Sequence, residues 1–162
     1  MVSYIVAMSE NRVIGNHNGV PWGKNQKADM KRFRELTLGH TIITGRTTYE
    51  EFKKPLDNRL HIVITRTPSV NLPNVLFKTF EETKRYIQDN DEELFVIGGQ
   101  KIFELFLPYV EKIYLTEINA KYEGNVFFPE FDLTRWDKIS ESCHEADDEN
   151  LHAYCFQEYV RQ

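Results

Sequence analysis

What most limits the fold is a set of short, unbroken apolar runs: Ile42-Ile43, Ile62-Val63-Ile64 and Leu94-Phe95-Val96-Ile97. A strand with one wet face alternates in polarity, whereas a strand covered on both faces does not. Such runs predict a largely parallel sheet with helices on both sides. Strands are expected at residues 3–8, 41–44, 61–65, 75–78, 94–97 and 112–118. Helical spacing fills the gaps at 26–36, 47–52, 81–88 and 100–107. Thr79, with Glu82 three residues on, makes a capping-box pair for the third helix. Pro108 closes the fourth. The pattern changes near the end, where residues 135–143 and 153–160 read as a hairpin joined by an acidic loop. The expected fold is therefore α/β and single-domain over residues 1–162. Its central sheet is mixed but mostly parallel, is flanked by four helices, and carries a C-terminal antiparallel hairpin.

A chain of 162 residues buries a proper core without staples. A net charge of −5 and the lack of any long Lys/Arg block argue against nucleic acid or a membrane surface as partner. The apolar start, Met1 to Met8, is short and has no basic lead, so it reads as a first strand rather than a signal or a span. The expected setting is the cytoplasm. Cys143 and Cys155 are too few for a disulfide framework and are expected as free thiols, although facing each other across the hairpin would let them pair. No histidine pair has zinc-ligand spacing, so no metal is expected.

Three places carry chemistry. Asp29 shares a helix face with Met30 and Phe33, while Lys27, Lys31, Arg32, Arg34 and Glu35 lie largely elsewhere. An acid in a first helical turn is favoured by the macrodipole, which is sufficient reason for Asp29 on its own. With Val20 and Trp22 just before it, the same carboxylate also suits a cationic or amide-bearing ring held by two hydrogen bonds. Gly45-Arg46-Thr47-Thr48 and Gly98-Gly99-Gln100-Lys101 each join a strand to a helix. Glycine lets backbone N–H groups approach a phosphate closely, and the first turn of a helix leaves such groups free. Either junction alone is also an ordinary turn; two in one small domain favour a bound dinucleotide. The G-x-G-x-x-G fingerprint is absent, which excludes the standard Rossmann reading. Arg66, after a strand, suits a 2′-phosphate and hence NADPH, and Arg59 suits a substrate carboxylate. Taken alone, a solvated loop is the commoner fate for Arg66 and a surface ion pair for Arg59. Phe103 and its helix neighbours read mainly as core.

These motifs, in this order, resemble dihydrofolate reductase of the short bacterial type. The likeness runs through Asn11-Arg12-Val13-Ile14-Gly15, Pro21-Trp22, Asp29 with Phe33 and Thr37, and Gly45-Arg46-Thr47-Thr48-Tyr49-Glu50. It continues through Pro55-Leu56 with Arg59, Val96-Ile97-Gly98-Gly99, Tyr114-Leu115-Thr116, Glu123-Gly124 and Tyr154-Cys155-Phe156. The resemblance implies NADPH-dependent reduction of dihydrofolate to tetrahydrofolate, antifolate inhibitors as small-molecule partners, and a monomer. It implies that Asp29 bonds the pterin 2-amino group and N3, with Trp22 and Thr116 behind it. Ile5, Val6, Ala7, Val20, Met30, Phe33, Phe52, Leu56 and Ile97 would line the substrate cleft, and Arg59 would hold the glutamate tail. The cofactor would lie along Ala7, Ile14, Gly15, Asn18, Gly19, Gly45, Arg46, Thr47, Thr48, Thr65 and Arg66. It would continue along Ile97, Gly98, Gly99, Gln100, Lys101, Ile102 and Phe103. The resemblance also implies a cis Gly98-Gly99 peptide and a mobile loop over residues 14–22. Departures fall at Gly23-Lys24-Asn25-Gln26, which lengthens the entrance to the Asp29 helix, and at Val20, Lys53-Lys54, Gln100, Asn125 and Leu151. The rival readings are a riboflavin-pathway pyrimidine reductase, whose domain is similar, and a non-catalytic nucleotide-binding module.

Overall fold

Strand β1, Val2–Ser9, runs through the interior of the main sheet and shows why its sequence is apolar at nearly every position. Val2, Tyr4, Val6 and Met8 enter one apolar cluster, while Ile5 enters another on the opposite face. The computed structural model describes residues 1–15, 19–67 and 69–162. β6 (Leu94–Gly98) and β7 (Lys112–Ile118) flank β1 and run parallel to it. Beyond β6 lie β3 (Thr41–Gly45), β4 (Leu60–Ile64) and β5 (Val75–Lys78), all parallel. On the other side β10 (Tyr154–Arg161) pairs antiparallel with both β7 and β9 (Trp136–His144). The order is β5-β4-β3-β6-β1-β7-β10-β9, the mostly parallel sheet with an antiparallel edge that the apolar runs predict.

Four helices cover this sheet: α1 (Lys27–Thr37), α2 (Arg46–Glu50), α3 (Phe80–Gln88) and α4 (Gln100–Phe106). α3 and α4 deliver Phe80, Ile87, Phe103 and Phe106 to the cluster around Tyr4 and Val96. Phe33 and Leu36 of α1 pack with Ile5, Ile42 and Phe95 on the other face. Both faces of the central strands are therefore covered, at about 1.5–3 kcal/mol for each large apolar side chain buried. The capping box forms as expected: Thr79 Oγ1 accepts from the Glu82 N–H at 3.2 Å, and Glu82 Oε1 accepts from the Thr79 N–H at 3.3 Å.

Two features differ from expectation. β2 (Val13–Gly15) and β8 (Val126–Phe127) form a separate two-stranded ribbon. Gly124 sits so close to it that a Cβ there would stand 2.6 Å from the Gly15 carbonyl. The second is a correction. Cys143 and Cys155, expected as free thiols, are joined in a disulfide. The hairpin register sets them directly opposite, with Cα atoms 4.0 Å apart, so the pairing follows from which residues face across β9 and β10. Among the described residues, no helix is long and apolar enough to cross a membrane.

Candidate active site

The first turn of α1 carries Asp29, and that turn is finished by residues from the far end of the chain. Gln26, at the N-cap, supplies no side-chain cap. Instead the Lys27 N–H donates to the Glu149 carbonyl at 3.2 Å and the Ala28 N–H to Asn150 Oδ1 at 2.9 Å. Both are donors that a helix start otherwise leaves unsatisfied. Asn150 is buried and itself held, because Asp147 Oδ1 accepts from its backbone and side-chain amides at 2.8 and 3.0 Å. Gln26 completes the clamp. Its Nε2 donates to the His152 carbonyl at 3.2 Å and its Oε1 accepts from the His152 N–H at 2.7 Å. The lengthened entrance Gly23-Lys24-Asn25-Gln26 is thus pinned to the β9–β10 loop; the Leu151 N–H bonds the Asn25 carbonyl at 2.8 Å.

Asp29 is half-buried, and burial pushes its carboxyl well above the usual carboxylate range. A hydrogen bond from Thr116 and the positive charge of Arg32 pull in the opposite direction. Thr116, on β7, is buried, as is Trp22, which packs edge-on against Tyr122 at 5.9 Å. Ala7, Ala28, Ile118 and Phe156 close the apolar surround of Trp22. Arg32 corrects an expectation. It lies on the same side of α1 as Asp29, three residues on, and reaches β7 rather than solvent. Its burial lowers its own pKa, opposed by Glu158, Asp29 and Tyr114.

The two glycine junctions are neighbours. Thr44 and Gly98 pair across β3 and β6, and Thr44 Oγ1 donates to the Gly98 carbonyl at 3.1 Å. A Cβ on Gly45 would lie 3.0 Å from Ile102 Cγ1, and one on Gly99 would lie 3.3 Å from Thr48 Oγ1. Gly98 has φ of +117°, a conformation open mainly to glycine, and Phe103 Cε2 stands 3.1 Å from where its Cβ would be. The Gly98-Gly99 peptide is cis, as the resemblance implies. β3 also pairs with β4 so that Gly45 faces Ile64, which brings Arg46 and Thr65-Arg66 to adjacent strand ends. Arg46 Nε bonds Glu50 at 3.0 Å on the exposed surface, and Arg66 is exposed. This edge brings together the backbone of two glycine junctions, a threonine hydroxyl and two arginines.

The family model for dihydrofolate reductase matches residues 1–161. The chain belongs to the dihydrofolate reductase family. It is 36% identical to the dihydrofolate reductase of Bacillus subtilis, over 100% of this chain and 95% of that protein. It is also 36% identical to the one from Staphylococcus haemolyticus, covering 99% and 95%. A solved dihydrofolate reductase from Enterococcus faecalis, complexed with NADP(H) and RAB-propyl, superposes with a TM-score of 0.91 at 33% identity, covering 100% and 96%.

Other expected positions of this dihydrofolate reductase family member are spread over several parts of the fold. Ile5, Phe33, Leu56 and Ile97 meet in or against one cluster beneath α1, and Ala7 packs near Trp22. Phe52 is half-buried beside Tyr49, while Val20 and Met30 are exposed. The side chains of Val6, Ile102 and Phe103 point into the core cluster around Tyr4, which leaves their backbones as the parts able to meet a ligand. Ile14 packs against that core too, Gly15 lies in the small ribbon, and Gly19 has a φ of +88°. Lys101 is exposed at the start of α4; Gln100 bonds Glu104 and the Phe127 N–H there. Asn18 and the middle of the expected mobile loop lie outside the described residues.

Arg59 is anchored rather than solvated. Its Nε donates to Thr37 Oγ1 at 2.9 Å and its Nη1 to the Asp57 carbonyl at 2.9 Å. Sequence reasoning missed the residue that supports this region, His61. Its Nε2 accepts from the Leu56 N–H at 3.0 Å, so the ring proton belongs on Nδ1, which faces the Asn74 carbonyl at 3.2 Å. Burial lowers the His61 pKa and keeps the ring neutral in that role. The available signal was a histidine at the start of an apolar run. Asn150 was missed as well, and its signal is the Asx-type pair Asp147…Asn150.

Proposed function

We propose that this chain reduces 7,8-dihydrofolate to 5,6,7,8-tetrahydrofolate with NADPH and so supplies one-carbon metabolism. One observation carries the reading: a desolvated carboxylate on α1, which packs on the mostly parallel sheet, accompanies two abutting glycine junctions at the ends of β3 and β6. The similarity to dihydrofolate reductases, and the nucleotide in the Enterococcus faecalis structure, support it.

The junctions fit NADPH on their own geometry. Without side chains, Gly45, Gly98 and Gly99 pack against Ile102, Phe103 and Thr48 and bring the two junctions together, so that their backbone and the start of α4 can face one pyrophosphate. Thr48 and the start of α4 hold that pyrophosphate, Arg46 and Arg66 take the 2′-phosphate, and Thr47 and Thr65 flank it. Bound there, NADPH supplies a hydride to C6 of dihydrofolate while N5 takes a proton from water. Asp29 accepts two hydrogen bonds, from the pterin 2-amino group and N3, and fixes the ring's orientation. Its negative charge favours the protonated pterin. Thr116 donates to Asp29, and buried Trp22 helps keep bulk water from it. Ile5, Ala7, Phe33, Phe52, Leu56 and Ile97 wall the cleft, with Val20 and Met30 at its rim, and Arg59 forks onto the glutamate α-carboxylate.

Dihydrofolate and antifolates are the small-molecule partners of this reading. The resemblance also supports a monomer in the cytoplasm, and light scattering at about twice 19.2 kDa would overturn the monomer. The deciding assay follows NADPH absorbance with and without dihydrofolate. Oxidation that depends on dihydrofolate supports the reading. Oxidation only with a riboflavin-pathway pyrimidine, or none, overturns it.

A further inference from the structure

Arg32 is a residue that the proposed chemistry leaves unused. Its Nη1 donates to the Leu115 carbonyl at 3.1 Å and lies 3.5 Å from Thr116 Oγ1. Phe156 lies beneath the guanidinium, 4.6 Å from ring centroid to Cζ, and Tyr114 flanks it at 5.8 Å. Three elements thus hold one cation in place: α1 through its backbone, β7 through a hydrogen bond, and β10 through a ring. Thr116 is the common neighbour, since it donates to Asp29 and also stands beside Arg32.

The charged surroundings single out Asp29. From β10, Glu158 faces Arg32, but Lys112 already pairs with Glu158 at 3.1 Å. From β7, Tyr114 donates its hydroxyl to Glu93 at 3.0 Å, and Lys112 lies 4.4 Å from the Tyr114 ring centre. From α1 comes Asp29, which has no lysine partner among the described residues. A guanidinium does not shed its proton, so its charge is constant over the working pH range.

We propose that Arg32 is a positioning residue for Asp29, a fixed cation held beside Thr116 one helical turn along α1 from the carboxylate, and that it sets the acid limit of turnover. This rests on the dihydrofolate reading for its kinetic consequence but not for its electrostatics. The test is a carboxyl-carbon NMR titration of Asp29 in the full chain, paired with the pH profile of kcat/KM for dihydrofolate. In Arg32→Gln the Asp29 midpoint rises by about one pH unit, and the acid limb of kcat/KM moves up with it. Arg32→Lys keeps the charge and returns most of the way to the parent midpoint. Arg32→Met is the second neutral variant should the glutamine fail to fold. An unmoved midpoint in a folded neutral variant overturns the proposal, and so does an Arg32→Lys shift as large as that of the neutral variant. If the parent shows no dihydrofolate-dependent turnover, the functional reading fails while the titration still decides the role of Arg32.

Discussion

The two ends of the site are built in different ways. The glycine end is local: β3 and β6 are adjacent, each runs into its own helix, and the missing side chains let the two junctions pack closely against Ile102, Phe103 and Thr48. The carboxylate end is assembled over long separations. Asp29 depends on Thr116 from β7, and its helix depends on Glu149 and Asn150 for its first hydrogen bonds. The difference teaches that close packing of neighbouring elements suffices to shape the glycine junctions. A desolvated charge instead needs several distant segments to agree on one position.

The largest test of this contrast is Asp29→Asn. Turnover at neutral pH should fall by roughly 100- to 1,000-fold, with partial recovery in acid, while the NADPH Kd stays near the parent value. Thermal stability should change in the opposite direction. The folded-state pKa of Asp29 is raised, so its ionised form is disfavoured in the fold and costs stability above that pKa. Removing the charge should raise Tm at pH 7 by roughly 2–5 °C. An equal loss of NADPH affinity would show that the ends are not separable.

Gly98→Ala probes the other end. A Cβ there meets Phe103 in a backbone region that L-residues avoid. NADPH should bind about 30-fold more weakly, corresponding to roughly 2 kcal/mol, as read by fluorescence titration. Next in size, Arg66→Ala should weaken NADPH by about 10-fold and leave NADH nearly unchanged. Equal losses for both nucleotides would remove Arg66 from the 2′-phosphate.

The smallest effect sharpens the comparison most. Asn150→Ala removes a cap worth about 1 kcal/mol and should lower Tm by roughly 2–4 °C. Its kinetic cost should appear in kcat/KM for dihydrofolate and not in NADPH binding, although residue 150 lies far along the chain from Asp29. A drop in NADPH affinity of the same size would mean that the loop supports the whole fold rather than α1.

The sequence disclosed what short-range physics controls. Unbroken apolar runs marked the buried parallel strands, Thr79 and Glu82 marked the start of α3, and glycines after Ile97 and Thr44 marked the close approaches. Asp29 stood out because its neighbours Trp22 and Phe33 are apolar. What stayed hidden depends on partners remote in sequence. β2 and β8 have only 3 and 2 residues, too few for any periodicity. Arg32 looked like an ordinary surface cation because helical spacing cannot show that β7 and β10 stand within its reach. The Cys143–Cys155 bond follows from hairpin register, which residue count alone does not fix.

The outside capping of α1 also bears on the order in which the protein becomes competent during synthesis. The residue at the heart of the proposed chemistry leaves the ribosome well before Glu149 and Asn150. Until the last hairpin has docked beside β7, the first turn of α1 lacks two of its partners and is free to fray. A nascent chain can therefore complete the two glycine junctions before it completes the first turn of α1.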